Sequence, residues 1–242
     1  MNRKILVLSH ERSGTHFLIN SIALNIGYSC DQIDFPMASQ LVHGIDKMNP
    51  VSPLKFKDYQ LVLDNFITKN HPDNFIFKSH HHIKLFQNLD SLFENFHVFY
   101  ITRDIRDVLT SCYYYFNNAP AWFPHENDIE KFILQTKPHL HGFNYDYTPF
   151  EYENLVERYI DHNKTWLNES RVNVVRYEDL VNNFGKELVK ILKILELPVP
   201  EYGTKPTVSN KGVNNRKGIV GDYKNVLTKN IISKLQTYES IV

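Results

Sequence analysis

The stretch LVLSHERSGTHFLINSIALNIG, residues 6–27, decides the fold because it joins a strand pattern to a helix pattern through a short polar break. The apolar run from Ile5 to Leu8 is uninterrupted, which is typical of a strand buried on both faces of a parallel sheet. Apolar residues then recur at the spacing of one helix face, namely Ile19, Ile22, Ala23 and Ile26. Gly27 follows at the place of a helix C-cap, so the stretch predicts a strand, a loop and a helix.

The polar break, residues 9–14, is suited to holding an anion. A loop that leads into a helix directs free backbone N–H groups and the positive end of the helix dipole toward one point. Gly14 permits close approach of the backbone, and Arg12 adds a positive charge. Ser13 and Thr15 offer hydroxyl groups. The loop lacks the first glycine and the lysine of the nucleotide-binding pattern GxxxxGK(S/T), and many loops between a strand and a helix bind nothing.

Composition and charge indicate one globular domain over residues 1–242, with 42% apolar and 22% charged residues. Lys plus Arg and Asp plus Glu each number 27, whereas a general nucleic-acid binder would be basic. No apolar run approaches the roughly 18 residues of a membrane span, and the first residues do not form a signal peptide. We therefore expect a cytoplasmic protein with no nucleic-acid or membrane partner. Cys30 and Cys112 are expected as free thiols packed in the core.

Three further strand patterns predict the architecture, at residues 74–79, 97–102 and 172–177. Helical patterns separate them, which favours an α/β three-layer sandwich with a central parallel sheet. Ligands of such sheets bind beyond the carboxyl ends of the strands. Residues 117–150 are rich in aromatics, prolines and histidines without a sustained period, so we expect an irregular lid that binds the acceptor, or a structural excursion.

Polar groups follow the predicted strands at their carboxyl ends. Lys78 and His80 project to the same side of an extended segment because the side-chain period is two. Arg103 follows the third strand and Tyr177 the fourth. His80, His81 and His82 alternate in direction and are poorly placed to share an ion, so no metal site is expected.

The basic residues fall into two separated clusters, which would suit a ligand with anionic groups at two distant points. One cluster is centred on Arg12 and Lys78. The other consists of Arg103, Ser111, Arg216 and Lys217, with Gly218 beside the last two. Each of these residues alone is more often a solvated surface group than a ligand.

These residues resemble the sulfotransferases that use 3′-phosphoadenosine 5′-phosphosulfate (PAPS), specifically the cytosolic type. HERSGTHF (10–17) resembles the 5′-phosphosulfate loop PKSGTTW, and YITRDIRDVLTSCYYYF (100–116) is similar to the family's 3′-phosphate motif. RKGIVGDYKN (216–225) resembles RKGxxGDWKN, while FKSHHH (77–82) and RYEDL (176–180) match the elements KTH and YEDL. The resemblance covers residues 5–228 and implies an α/β fold with a P-loop-like phosphosulfate-binding loop.

The resemblance also implies a role for each matching residue. The 5′-phosphosulfate would be held by Arg12, Ser13, Gly14, Thr15 and His16. The 3′-phosphate would be held by Arg103, Ser111, Arg216, Lys217 and Gly218, with Phe17 and Tyr177 flanking adenine. His80 would be the catalytic base, and Lys78 and Arg12 the catalytic cations. His81 and His82 are the rival bases.

The activity implied is sulfuryl transfer from PAPS to a hydroxyl or amine, giving 3′,5′-ADP without a metal. The acceptor would be a small molecule or a glycan, whose identity the sequence does not fix. One alternative is a P-loop kinase that uses ATP and Mg²⁺, with Asp104 or Asp107 organising the metal. Another is a non-catalytic nucleotide-binding protein on the same fold.

The sequence differs from the family pattern at several positions. Arg12 stands in place of lysine, and His16 and Phe17 in place of threonine and tryptophan. No second aromatic that contacts adenine is identified between Tyr177 and Arg216. The family's dimer segment KxxxTVxxxE is absent, so dimerisation by that route is not expected and the oligomeric state is left open.

Overall fold

The computed structural model describes residues 4–27, 29–34, 56–69, 75–118, 125–137, 152–207 and 217–238. Within these residues, five strands form one parallel sheet in the order β2-β3-β1-β4-β5. The strands are β1 (Ile5–Leu8), β2 (Ser29–Asp34), β3 (Phe75–Ser79), β4 (His97–Thr102) and β5 (Asn173–Arg176). The sequence patterns predicted four of them, and β2 at the edge of the sheet was missed.

Helices connect the strands and cover the sheet. In chain order they are α1 (Thr15–Ile26), α2 (Phe56–Thr68), α3 (Leu89–Asn95), α4 (Ile105–Asn117), α5 (Ile129–Gln135), α6 (Leu155–Leu167), α7 (Tyr177–Asn182), α8 (Phe184–Ile194) and α9 (Lys229–Gln236). Short 3-10 turns lie at Ile83–Leu85 and Asp222–Asn225. None of the helices in the part of the chain that the structure describes is long and apolar enough to cross a membrane.

The first strand, loop and helix form as predicted. Helix α1 ends at Gly27, whose φ of 69° is left-handed and whose N–H donates to the Ala23 carbonyl. Alternate side chains of β1 point to opposite faces of the sheet, and all of them are buried. Ile5 and Val7 pack with α1, α7 and α8, whereas Leu6 and Leu8 pack with α2, α3 and α6. The predicted α/β sandwich with a central parallel sheet is confirmed.

A third apolar cluster lies beside the sheet and is built from α4, α5, α6 and α9. Cys112 belongs to it, and burial raises the pKa of its thiol to about 12, so this cysteine is a core residue as expected. The side chain of Cys30 lies outside the described residues.

The segment 117–150 is less irregular than its composition predicted. Asp128 caps α5 by accepting from the N–H groups of Glu130 and Lys131. Phe132 and Ile133 are then buried against the neighbouring helices. This part of the segment is therefore a packed helix. Residues 119–124 and 138–150 lie outside the described residues.

Candidate active site

The polar break after β1 folds into a tight turn that leads into α1. Arg12 has a φ of 66° and Gly14 a φ of 102°, so two of its residues adopt left-handed backbone. Gly14 is the N-cap of α1. The free N–H groups of the first helical turn therefore open at this loop, which is the geometry of an anion site.

The loop also contains a buried hydroxyl group with no partner. Ser13 is fully buried, and its Oγ has no hydrogen-bond partner among the described residues. A buried polar atom of this kind usually has a partner, so an anion that accepts from Ser13 Oγ fits the site. Beside it, a Cβ built on Gly14 would lie 2.3 Å from Cδ2 of Tyr177. The bare backbone of Gly14 is therefore required where the ring packs against the loop.

A chain of short contacts connects the loop to the end of β3. Thr15 Oγ1 lies 2.6 Å from Ser9 Oγ, and Ser9 Oγ lies 3.2 Å from Nδ1 of His80. The same Nδ1 lies 2.9 Å from the carbonyl oxygen of Ser9. Because a carbonyl oxygen only accepts, we assign the proton of a neutral His80 to Nδ1, which leaves the lone pair on Nε2. This is the tautomer that a general base requires.

Burial alternates from Lys78 to His81, but His82, which the sequence placed on the side opposite to His81, is buried as well. Lys78 on β3 is partly exposed, as is His80, whereas Ser79 is buried between them. His81 is buried, and its Nδ1 lies 2.6 Å from Ser79 Oγ. His82 is buried as well, with its Nε2 3.0 Å from Asp161 Oδ2. Both rival bases are therefore integrated into the packing of the protein.

Arg103 begins the second basic cluster at the end of β4. Its guanidinium lies over the Tyr177 ring at 4.4 Å from the centroid and donates to the Ile219 carbonyl at 3.0 Å. The buried Nε of Arg103 has no partner within the described residues, so it is available to an anion. Tyr177, the first residue of α7, also donates from its hydroxyl to the Gly218 carbonyl at 3.0 Å.

The two basic clusters meet, in contrast to the separation that the sequence predicted. Nε of Arg12 donates to Ser111 Oγ at 3.2 Å, and the Arg12 guanidinium lies 4.6 Å from the centroid of the Tyr115 ring. Helix α4 carries both partners. Arg12 therefore lies in the loop predicted to bind the 5′-phosphosulfate and contacts a residue predicted to bind the 3′-phosphate.

The segment that contains Lys217 and Gly218 is bound to α4 through Asp107. This buried carboxylate accepts from the N–H groups of Gly221 at 2.7 Å and Tyr223 at 3.2 Å. Gly218 has a φ of 65°, and Lys217 Nζ lies 3.4 Å from Asp222 Oδ1. Arg216 lies outside the described residues, so its predicted role is not tested.

The acidic residues required by the kinase alternative have other partners. Asp104 caps α4 by accepting from the Arg106 N–H and pairs with the Arg106 side chain. Asp107 accepts from the backbone N–H groups described above and lies 3.5 Å from Arg103. Within the described residues, no group of three His, Cys, Asp or Glu side chains is arranged to hold a metal ion.

The remaining predicted ligands lie on the first turn of α1. Phe17 makes edge contacts with Tyr177 and Phe184, with ring centroids 5.9 and 6.5 Å apart. His16 is partly exposed beside it. Phe17 and Tyr177 thus form one aromatic surface between the loop and Arg103.

Helix α6 was missed by the sequence analysis, although its side chains contact the loop after β1 and the backbone of His80 and Arg103. Its buried polar residues are Arg158, His162 and Asn163, with the hydroxyl and indole N–H groups of Tyr159 and Trp166 beside them. Burial lowers the pKa of His162. The spacing of Arg158, His162 and Trp166 on one helix face was the signal available in the sequence.

Fold and site together define an α/β protein whose loop after β1 has the geometry of an anion site at the ends of parallel strands. The model of the sulfotransferase domain matches residues 2–239, so the chain belongs to the sulfotransferase family. The prediction of a sulfotransferase is confirmed, and the kinase alternative is not favoured.

Solved structures of similar fold agree with this membership. A mouse sulfotransferase complexed with PAP matches with a TM-score of 0.56 and 17% identity, over 97% of this chain and 83% of the other. A retinol dehydratase in complex with retinol and PAP matches with a TM-score of 0.61 and 15% identity, over 98% and 80%. The same kind of enzyme with androsterone and PAP matches with a TM-score of 0.61 and 14% identity, over 98% and 79%. At these identities the likeness is one of fold.

Proposed function

We propose that this protein transfers a sulfuryl group from PAPS to a hydroxyl or amine of an acceptor and releases 3′,5′-ADP. The observation that carries the proposal is the connection between the anion loop and His80 through Ser9. Thr15 Oγ1, Ser9 Oγ and His80 Nδ1 are joined by contacts of 2.6 and 3.2 Å. A phosphosulfate on the loop would therefore lie near the imidazole ring of His80, whose lone pair is on Nε2.

His80 acts in this proposal as the general base. As the acceptor oxygen or nitrogen forms its bond to sulfur, the bond from sulfur to the phosphate oxygen breaks. The acceptor proton moves to Nε2 of His80, whose Nδ1–H stays on the Ser9 carbonyl. Negative charge grows on the departing phosphate, and Arg12, Lys78 and the loop N–H groups stabilise it.

The 3′-phosphate would be bound by the second cluster. The buried Nε of Arg103, for which the described residues offer no partner, supports this assignment. Ser111 lies on α4, and Asp107 of the same helix contacts both Arg103 and the segment that contains Lys217. Arg216 and Gly218 complete the proposed set, and adenine would lie against Phe17 and Tyr177. The buried Ser13 hydroxyl, Gly14 and His16 would contact the 5′ end.

The acceptor is proposed to be a small molecule or a glycan. Residues 117–150 would bind part of it as a lid, and residues 1–242 would form a single domain. A cytoplasmic location also stays a prediction. Neither the oligomeric state nor the acceptor is assigned.

A screen of candidate acceptors with PAPS, read by mass spectrometry, tests the activity. We expect one acceptor class to gain the mass of a sulfuryl group, at the same rate with and without a metal chelator. A parallel screen with ATP and Mg²⁺ should give no phosphorylated product. Transfer that stops with the chelator, or phosphorylation from ATP, would contradict the proposal. Tight binding of 3′,5′-ADP without any transfer would favour the non-catalytic alternative.

The second cluster predicts a preference among nucleotides. We expect 3′,5′-ADP to bind at least about tenfold more tightly than 5′-AMP, because a hydrogen bond to a charged group contributes about 1.5–3 kcal/mol. Calorimetry measures both affinities. The variant Lys217→Met should reduce the preference, and Lys229→Met, an exposed lysine on α9, should leave it unchanged. Equal affinities for the two nucleotides in the wild-type protein would contradict the proposed 3′-phosphate site.

A further inference from the structure

A buried ion pair connects the loop after β1 to helix α6. Nη1 and Nη2 of Arg158 donate to the two carboxylate oxygens of Glu11 at 2.7 and 2.6 Å. Only 3% of the Arg158 side chain and 7% of the Glu11 side chain are exposed. The pair is therefore bidentate and almost free of solvent screening, and it fixes both distance and orientation.

His10 is the third member of this group. Its Nδ1 lies 3.0 Å from the Glu11 carbonyl oxygen, which only accepts, so Nδ1 carries the proton. Nε2 then accepts from Arg158 Nη1 at 2.9 Å. This requires a neutral ring, and burial lowers the pKa of His10 to about 4. Arg158 thus binds the side chains of the two residues that precede Arg12.

The backbone that follows needs such support. Arg12 is not a glycine, and its φ of 66° is a conformation that persists only where the surroundings hold it. The turn closes through the N–H of Ser13, which donates to the His10 carbonyl at 3.3 Å. Movement of His10 or Glu11 would therefore displace Arg12 and Ser13, the residues proposed to meet the 5′ end of PAPS.

Helix α6 connects this support to the rest of the site. His162 lies one turn after Arg158, and its Nε2 donates to the His80 carbonyl at 3.1 Å, while its Nδ1 accepts from the Tyr100 hydroxyl at 2.9 Å. Tyr159 donates to the Arg103 carbonyl. One helix therefore sets the loop relative to the base and to the second cluster.

We propose that Glu11 and Arg158 are positioning residues, which hold the loop in the shape that accepts a 5′-phosphosulfate without touching it. The inference rests on the proposed function, because it explains how the site for PAPS is kept in shape. Glu11 neutralises Arg158, so the pair acts through geometry. The affinity gained from the 5′-phosphate should depend on the pair, and the affinity for the 3′-phosphate should not.

The test compares 3′,5′-ADP with 3′-AMP by calorimetry, because the ratio of their dissociation constants isolates the 5′-phosphate. The first variant, Arg158→Lys, keeps the charge and loses the bidentate geometry. The second variant combines Glu11→Leu with Arg158→Met, so neither member of the pair is left as an unpaired buried charge. It is used for the test if the first variant does not fold. Arg171→Met is the control, since it breaks an ion pair with Glu169 and Asp90 that lies on the surface.

We expect the preference for 3′,5′-ADP, which is the dissociation constant of 3′-AMP divided by that of 3′,5′-ADP, to fall about tenfold in either folded variant. The affinity for 3′-AMP should be unchanged, and the control should show no change in either affinity. An unchanged ratio in a variant that melts cooperatively would overturn the proposal, as would an equal loss of affinity for both nucleotides. A wild-type protein that binds 3′-AMP and 3′,5′-ADP equally would also overturn it while leaving the 3′-phosphate site intact. Failure of the wild-type protein to bind either nucleotide would instead refute the proposed function.

Discussion

The variant His80→Ala is expected to lose kcat by on the order of 10²-fold or more, with almost no change in its affinity for 3′,5′-ADP. In the proposed mechanism His80 would contact the acceptor, so its loss should affect proton transfer rather than nucleotide binding. The backbone at this position should persist, because His162 donates to the His80 carbonyl from α6. Steady-state kinetics with the acceptor found in the screen and calorimetry with 3′,5′-ADP give the two quantities.

A control must separate chemistry from folding. The adjacent His81 is unsuitable because it is buried against Ser79, and we expect its removal to lower stability. His125 is exposed, so His125→Ala should leave both kcat and stability unchanged. Normal turnover by His80→Ala would show that another group removes the acceptor proton.

The variant Gly14→Ala is expected to lose affinity for 3′,5′-ADP by about 10²-fold or more, which corresponds to about 2.8 kcal/mol. Its new Cβ would lie 2.3 Å from Cδ2 of Tyr177, and a φ of 102° is strained for alanine. The ring has little freedom to move away. Arg103 lies over it at 4.4 Å, and its hydroxyl is bound to the Gly218 carbonyl. The loop must therefore shift instead.

Gly27→Ala is the matched control for this variant. Gly27 has a φ of 69°, but no described residue outside its own helix end and chain neighbours lies within 4 Å of the added Cβ, so the substitution introduces backbone strain without a tertiary clash. We expect it to cost about 1 kcal/mol of stability and to leave nucleotide affinity unchanged. Calorimetry and thermal melts of both variants check this. A Gly14→Ala protein that binds 3′,5′-ADP like the wild type would contradict the assignment of the loop.

Some parts of the fold could be predicted because their signals are local. The apolar run of β1, the polar break and the periodic α1 follow each other within residues 5–27. Strand β2 could not be found in this way, because SCDQID contains a single aliphatic residue and pairs with β3 only in the assembled sheet. Helix α5 is hidden for a similar reason, since it is short and surrounded by proline-rich and aromatic sequence.

The same contrast between local signals and long-range contacts applies to the candidate site. The motifs indicated which residues to examine, but the contact between Arg12 and Ser111 joins residues 99 positions apart. Glu11 and Arg158 are 147 positions apart, and each reads in the sequence as an ordinary surface charge. Pairs of this kind form only through tertiary packing, which local sequence periodicity does not indicate.

The position of α6 late in the chain has a consequence for how the protein becomes active during folding. This helix contacts Arg103 across 56 positions, His80 across 82 and Glu11 across 147. Such long-range contacts form slowly, because the chain entropy of closing each loop is lost before the contact stabilises it. The loop after β1 is synthesised early, yet its support arrives only when residue 158 has been made and α6 has docked. A nucleotide that needs the finished loop therefore binds and stabilises only the completed fold, and not an intermediate that lacks α6.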